Sequence, residues 1–203
     1  MDSTALHKLG YGLYVLTANA DGVDNGCIIN TLMQVTSTQL MLAVITINKQ
    51  NHTHDMVIKT NRFNTSVLTV DAPFSVFERF GFQSGATVDK FADYNNVARS
   101  ANGLVYLLNH TNAYLSCEVL DKYDFGTHTV FKAQITDGKV INDVDSLTYA
   151  HYHKHTKSQP QPTARLGWQC GICGYVFEEE VLPDDFICPW CKHGASDFSQ
   201  ITK

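Results

Sequence analysis

Apolar and β-branched residues recur over the first three quarters of the chain in short runs separated by turn-forming residues, a pattern of strands rather than long helices. Gly12 to Asn19 and Gly26 to Thr36 are two such runs, joined through Ala20-Asp21-Gly22; an Asp-Gly pair between apolar runs predicts a tight hairpin. Leu40 to Ile47 is almost unbroken apolar sequence and predicts a strand buried on both faces. The period then changes. From Thr53 to Asn61, Met56, Val57 and Thr60 share one face of a predicted helix, with Thr53 placed to cap it. A strand is expected over Arg62 to Thr69. Pro73 to Phe80 reads as a second short helix, because Phe74, Phe77 and Phe80 recur at helical spacing and Gly81 supplies a stop. Alternation returns at Ala113 to Asp121 and Thr127 to Thr136, after which Asp137-Gly138 predicts a hairpin into Lys139 to Ile141. The expected fold is mainly β, an antiparallel barrel with small helical insertions.

The pattern fails between His155 and Ala164, a polar stretch containing Pro160 and Pro162 that suits an extended tether. Residues 1–154 therefore read as one domain, 155–164 as a linker and 165–203 as a second unit of 39 residues. A unit that small rarely builds a sufficient core without a staple. It carries Cys170-Gly-Ile-Cys173 and Cys188-Pro-Trp-Cys191, separated by fourteen residues. Four thiolates at that spacing can reach the corners of a tetrahedron, which suits zinc and iron alike.

Composition narrows the function classes. With 44% hydrophobic and 17% charged residues in 203, the chain has ordinary globular composition. Its net charge of −5 without a basic run argues against nucleic-acid binding. The longest apolar run is of strand length, and Met1 to Gly10 lacks the features of a leader, so a cytoplasmic protein with no membrane segment is expected. Only Cys27 and Cys117 lie outside the paired cysteines, consistent with a reducing compartment. The sequons at Asn51, Asn64 and Asn109 carry little weight in that setting. Phosphate-loop, H-E-x-x-H and dinucleotide G-x-G-x-x-G motifs are absent, and the serine of Gly81-Phe-Gln-Ser-Gly85 stands one place too late for a nucleophile elbow.

What remains is a density of polar residues from Asn30 to His54. Asn30, Thr31, Gln34 and Thr36 lie along or at the end of a predicted strand, while Asn48, Lys49, Asn51, Thr53 and His54 surround the start of the first helix. Free amides at a helix start, with a lysine, hydroxyls and amides beside them, suit a phosphate. The strand residues could hydrogen-bond a planar heterocycle attached to it. A capped helix next to a polar loop accounts for the same residues.

Asn30-Thr31-Leu-Met-Gln34-Val35-Thr36, taken with Asn48-Lys49-Gln-Asn51-His-Thr53-His54, resembles the FMN-binding pattern of the flavin reductase-like split β-barrel family. Phe80 to Gly85, Asp89-Lys90-Phe91, Thr127 to Phe131 and Tyr149 to His153 extend the resemblance over most of the first domain. It implies a split barrel in which Asn30, Thr31, Gln34, Val35 and Thr36 lie along the flavin and ribityl chain. Asn48, Lys49, Asn51, Thr53 and His54 would hold the phosphate end. It also implies a homodimer with the flavin near the subunit boundary, approached by the Phe80 to Lys90 loop and the Tyr149 to His153 stretch. Thr38-Gln39 departs from the prolines common there. His128, His151 and His153 fit structural and ligand-facing roles equally.

The C-terminal unit resembles rubredoxin in a shortened form. Trp168, Tyr175, Phe177, Phe186 and Phe198 stand where its aromatic core would be, and Cys170, Cys173, Cys188 and Cys191 would bind iron, with zinc as a substitute. Ile172 and Trp190 would cover the metal, Gly174 would take a left-handed turn, and Lys192 stands where glycine is usual. Together the resemblances imply an oxidoreductase in which NAD(P)H reduces FMN and single electrons pass through iron to a partner such as a flavodiiron protein. A flavin or ferric reductase with an accessory rubredoxin, and a non-enzymatic zinc-ribbon binding protein, are the alternatives.

Overall fold

The computed structural model describes residues 8–37, 39–157, 167–171, 174–189 and 193–201. Seven antiparallel strands form its main sheet: β1 (Tyr14–Ala20), β2 (Val23–Ile29), β3 (Leu32–Gln34), β4 (Leu42–Asn48), β5 (Arg62–Leu68), β8 (Thr111–Asp124) and β9 (His128–Val140). Their order is β2-β1-β5-β8-β9-β4-β3. A separate two-stranded ribbon is made of β6 (Val97–Arg99) and β7 (Val105–Leu107).

The two edge strands of the main sheet, β2 and β3, are consecutive in the chain and joined only by Asn30 and Thr31. So short a link forces the sheet to curl until its edges meet. The Thr31 hydroxyl of this link donates to the Thr46 carbonyl of β4 at 3.2 Å, extending the β3–β4 pairing, and the sheet closes as a split barrel. This is the mainly β fold expected from the sequence. Its interior holds Leu16, Ile45, Ile47, Val57, Phe63 and Phe131, all fully buried.

The turn between β1 and β2 has Asp21 at φ 53° and Gly22 at φ 81°. Two successive positive φ values match the strand twist in a two-residue hairpin, as the Asp-Gly pair predicts. The second Asp-Gly behaves otherwise. Asp137 and Gly138 lie inside β9, opposite Ser116 and Leu115 of β8. A Cβ on Gly138 would stand 2.8 Å from Leu115 Cδ2 and 3.0 Å from Tyr114 O, so glycine here serves cross-strand approach rather than reversal. β4 also differs from expectation. Ala43, Ile45 and Ile47 are buried while Leu42, Val44 and Thr46 are half-buried, because its second face is left for the cavity described below and the exposed β3 edge.

Helix α1 spans His52–Thr60, with Asn51 rather than Thr53 at its N-cap. Thr53 instead lies in the first turn, its hydroxyl accepting from Asn25 Nδ2 at 3.1 Å. Helix α2 (Phe74–Phe77) widens into a π-helical turn over Glu78–Phe82. Gly81 therefore lies within that turn and does not stop it. A third helix, α3 (Tyr149–His151), continues as a π-helical turn over Tyr152–Thr156, so His155 and Thr156, read as tether, belong to it. Among the described residues no helix is long and apolar enough to cross a membrane.

The C-terminal unit is a three-stranded antiparallel sheet ordered β11-β10-β12, from β10 (Gly167–Cys170), β11 (Val176–Phe177) and β12 (Phe198–Ile201). Cys170, Cys188 and Phe198 are its buried centre, packed by Trp168, Tyr175, Phe177, Leu182 and Phe186. The aromatic core expected from the sequence is thus assembled, with Phe177 and Phe186 rings 4.6 Å apart and Phe186 edge-on to Phe198 at 5.3 Å.

Candidate functional site

A cavity of about 440 Å³ opens where the split in the barrel meets α1, α2 and α3. That volume is within the range of pockets that enclose one small-molecule ligand. One wall is polar, made by Asn30, Thr46, Asn48, Gln50, Asn51 and Thr53. The opposite wall is apolar, with Ile28 and Ile29 from β2, Phe77, Phe80 and Phe82 from the α2 turn, and Tyr149 and Tyr152 from α3. An amphiphilic ligand with an anionic end fits such a pair of walls.

Local backbone chemistry builds the polar wall. Asn48 Oδ1 accepts from the Gln50 amide at 2.9 Å, and the Asn51 amide donates to Asn48 O at 3.0 Å. These bonds turn the chain from β4 into α1. The Asn51 side chain makes no cap bond, which leaves the first amides of α1 without the usual side-chain acceptor. An anionic ligand group at this end supplies one, so the residues present fit a phosphate.

Of the residues singled out in the sequence, the cavity brings together Asn30, Asn48, Asn51 and Thr53. Thr31 lies beside it, bonded to Thr46. Gln34, Val35 and Thr36 lie outside the cavity of one chain. Gln34 Nε2 donates to Thr36 O at 2.9 Å, and Val35 is 52% exposed. Lys49 Nζ pairs with Asp124 at 2.6 Å, and buried His54 sits between Asp55 and the Thr129 hydroxyl, each at 2.9 Å.

Two further lining residues are Lys90, at the end of the Phe80 to Lys90 loop expected to approach the flavin, and Cys27, which had no signal in local sequence. Lys90 is only 3% exposed, and its ammonium donates to Gly26 O at 2.9 Å and Phe80 O at 3.2 Å. It ties β2 to the α2 turn, and burial holds its pKa below the usual lysine value. Cys27 also lines the cavity; burial pushes its thiol up to about 11 against the opposing effects of Thr53 and Lys90. A thiol with that pKa is protonated at neutral pH and is no nucleophile.

His128 lines the cavity as well, its Nδ1 2.9 Å from the Thr127 hydroxyl. Burial, and then the neighbouring His193 of the C-terminal unit, lower its pKa. A histidine depressed on folding stabilises the protein above its unfolded pKa of about 6.5, and that contribution is lost as pH falls through the folded value. In an NMR titration, His128 is expected to titrate below the ordinary histidine midpoint and to move back up in His193→Gln.

In the C-terminal unit, the two cysteine pairs begin alike. The Cys170 amide donates to Tyr175 O and the Cys188 amide to His193 O, each at 2.8 Å and each five residues along. Gly174 has φ 82° and its amide donates to Cys170 O at 2.8 Å, the left-handed turn expected of it. Cys170 and Cys188 are buried at 1% and 0% exposure in one cluster. Repeated tight loops that turn one buried thiol from each pair into a shared core fit a tetrahedral metal ion. Cys173 and Cys191, with Ile172, Trp190, Lys192 and Thr38, lie outside the described residues.

The fold and these sites define a class of protein: a split β-barrel with an amphiphilic ligand cavity, followed by a small unit with paired cysteine loops. Residues 6–158 match the flavin reductase like domain, and residues 168–199 match the rubredoxin-like domain of rubrerythrin. The chain belongs to the flavin reductase-like family and carries a C-terminal rubredoxin-like domain. It is 38% identical to the high molecular weight rubredoxin of Moorella thermoacetica over 99% of this chain and 100% of that protein. It is 36% identical to the NAD(P)H ferric-chelate reductase of Archaeoglobus fulgidus over 82% of this chain and 97% of that protein. In structure it is similar to the NADH:FAD oxidoreductase of Streptomyces globisporus, with a TM-score of 0.63 at 19% identity over 72% of this chain and 86% of that one.

Proposed function

We propose that the protein is an electron-transfer oxidoreductase that draws reducing equivalents from NAD(P)H through FMN in the barrel cavity. Iron held by Cys170, Cys173, Cys188 and Cys191 passes them to a redox protein, with a flavodiiron oxygen or nitric oxide reductase as the partner. FMN held there would supply the two-electron to one-electron conversion: a hydride from NAD(P)H with a proton from solvent going in, and two electrons leaving singly to the one iron, with two protons returned to solvent and the iron reoxidised by the partner between transfers.

The chain's own residues supply binding and placement. Asn48, Asn51, Thr53 and the first amides of α1 would hold the phosphate, while Asn30 and Thr46 would meet the ribityl chain. Ile28, Ile29 and Phe80 would cover the ring and keep water from it. Lys90 holds the α2 turn against β2 and so shapes that apolar wall. No side chain is required to move a proton.

A homodimer is part of this reading. Met33, Val35, Leu40 and Met41 are 62, 52, 46 and 45% exposed, all around the β3–β4 edge. An apolar edge of this kind favours a second copy. Gln34, Val35 and Thr36 would then contribute to the flavin site at the subunit boundary. The two-domain division, with domains at 1–154 and 165–203, belongs to the same proposal; of the tether read at 155–164, residues 158–164 lie outside the described residues.

The observation that carries this reading is that Pro189, next to Cys188, lines the same cavity as Asn30 and Asn51. Anaerobic stopped-flow mixing tests it: with NADH or NADPH, flavin absorbance should bleach first and the ferric band afterwards. A flavin that stays oxidised with both donors sinks the proposal. The similarity to a ferric-chelate reductase favours one other reading, a small-acceptor reductase in which the C-terminal unit is accessory.

A further inference from the structure

The C-terminal unit is seated on the barrel of its own chain. Pro189 and His193 form part of the cavity wall, and Phe82 packs both against the barrel-domain cluster that contains Phe77 and Tyr152, with its ring 5.7 Å from Phe74, and against the cluster around Cys170 and Cys188. Lys157, the last described residue before Gly167, reaches across to donate to Gly171 O at 3.3 Å. These contacts are shallow. Pro189 and His193 remain exposed, Phe82 is only half-buried, and the main sheet and the C-terminal sheet share no strand. A seat of this kind can be left and regained, since loosely packed elements open at low cost.

The seat also lies where a second ligand would need room. Pro189 and His193 line one side of the cavity of about 440 Å³, so a nicotinamide dinucleotide stacking on FMN from that side would meet them. A hydride donor must stack directly on its acceptor, because hydride transfer needs reacting atoms about 3–3.5 Å apart. Electron tunnelling has no such need for direct stacking.

We propose that docking of residues 167–201 over the cavity and binding of the nicotinamide exclude each other, so that the unit leaves for hydride transfer and returns to take electrons. This rests on the function proposed above. Lys157 is a positioning residue in this scheme: it stands outside the cavity lining, and its bond to Gly171 O biases the unit toward its seat. By linkage, a ligand that binds only the undocked state has its affinity reduced by the undocked fraction.

The test uses the full-length protein loaded with FMN and iron, with NAD⁺ and NADP⁺ as probes that bind without reducing. Losing one hydrogen bond shifts the docking equilibrium about fivefold, so Lys157→Ala should lower the dissociation constant of the better probe by up to about that factor, and Lys157→Arg should restore it. In wild type, saturating probe should raise the radius of gyration in small-angle scattering as the unit is released. An unchanged dissociation constant in Lys157→Ala together with an unchanged radius overturns the proposal while leaving the function reading in place. Wild-type protein that binds neither probe and is reduced by neither NADH nor NADPH overturns both.

Discussion

Replacing Cys188 by serine is expected to strip the metal from the C-terminal unit and to cut electron delivery to a protein acceptor by roughly 100-fold or more. Removing a residue that merely supports a metal ligand already costs about 10–100-fold in affinity, and Cys188 is itself a ligand in the proposed site. It is also fully buried at the centre of the unit's small cluster. In a unit this small, metal binding energy is folding energy, so its melting should become non-cooperative. Flavin reduction by NAD(P)H should be retained, because the barrel's core contains none of these residues, and should quicken as loss of the unit's fold frees the side of the cavity that Pro189 and His193 line. Iron content and single-turnover kinetics check both halves. Loss of iron with delivery intact would favour the accessory reading of the C-terminal unit; iron retained in full would end the four-cysteine assignment.

Asn64→Leu should destabilise the barrel domain by about 3–5 kcal/mol, the range expected when a buried polar network loses its centre. Asn64 has no exposed surface. Its Nδ2 is placed to donate to Ser100 Oγ at 2.8 Å, Leu104 O at 3.0 Å and Val105 O at 3.2 Å, and its Oδ1 accepts from Asn102 Nδ2 at 2.8 Å. Leucine has similar volume and none of these groups, so Ser100 Oγ, Leu104 O and Asn102 Nδ2 would each lose a partner, with Leu104 O keeping only the Ser100 donors. The β6–β7 ribbon depends on this network for its attachment, with Thr17 Oγ1 donating to Val105 O at 2.5 Å as a second pin. Urea unfolding followed by fluorescence measures the effect. A shift below about 1 kcal/mol, the size of one ordinary hydrogen bond, would contradict the network's role. The same burial settles the sequon at Asn64: in the folded chain its amide is inaccessible to glycosylation.

Asn64 also shows where sequence reading stops. As part of Arg62 to Thr69 it was legible only as a strand residue. Its importance comes from Ser100, Asn102 and Leu104, 36 to 40 residues away. Lys90 is a similar case, since nothing nearby in sequence announces a buried ammonium bonded to Gly26 O. Asp137-Gly138 misleads for the same reason: its local chemistry is that of a turn, and only the opposing Leu115 reveals why glycine is there. Asp21-Gly22 reads correctly because its two flanking strands are adjacent and the turn is set locally.

The candidate site was legible in part. Asn30, Asn48, Asn51 and Thr53 flank strand ends and a helix start that short-range patterns locate well, and the cavity collects all four. The apolar wall was less visible, because Phe77, Phe80, Tyr149 and Tyr152 come from segments some 70 residues apart and meet only after the barrel closes.

The sequence by itself determined the mainly β class, the presence of a second, cysteine-paired unit and the spacing of its C-x-x-C pairs. Strand period, turn residues and C-x-x-C spacing are local properties, and local sterics and ligand geometry act on them directly. Tertiary structure alone decided the closure of the sheet through Asn30 and Thr31, the two-walled cavity, and the seating of Pro189 and His193 over it. Those features arise from contacts between residues distant in the chain, whose free energies depend on which surfaces remain unpaired after every local element has formed.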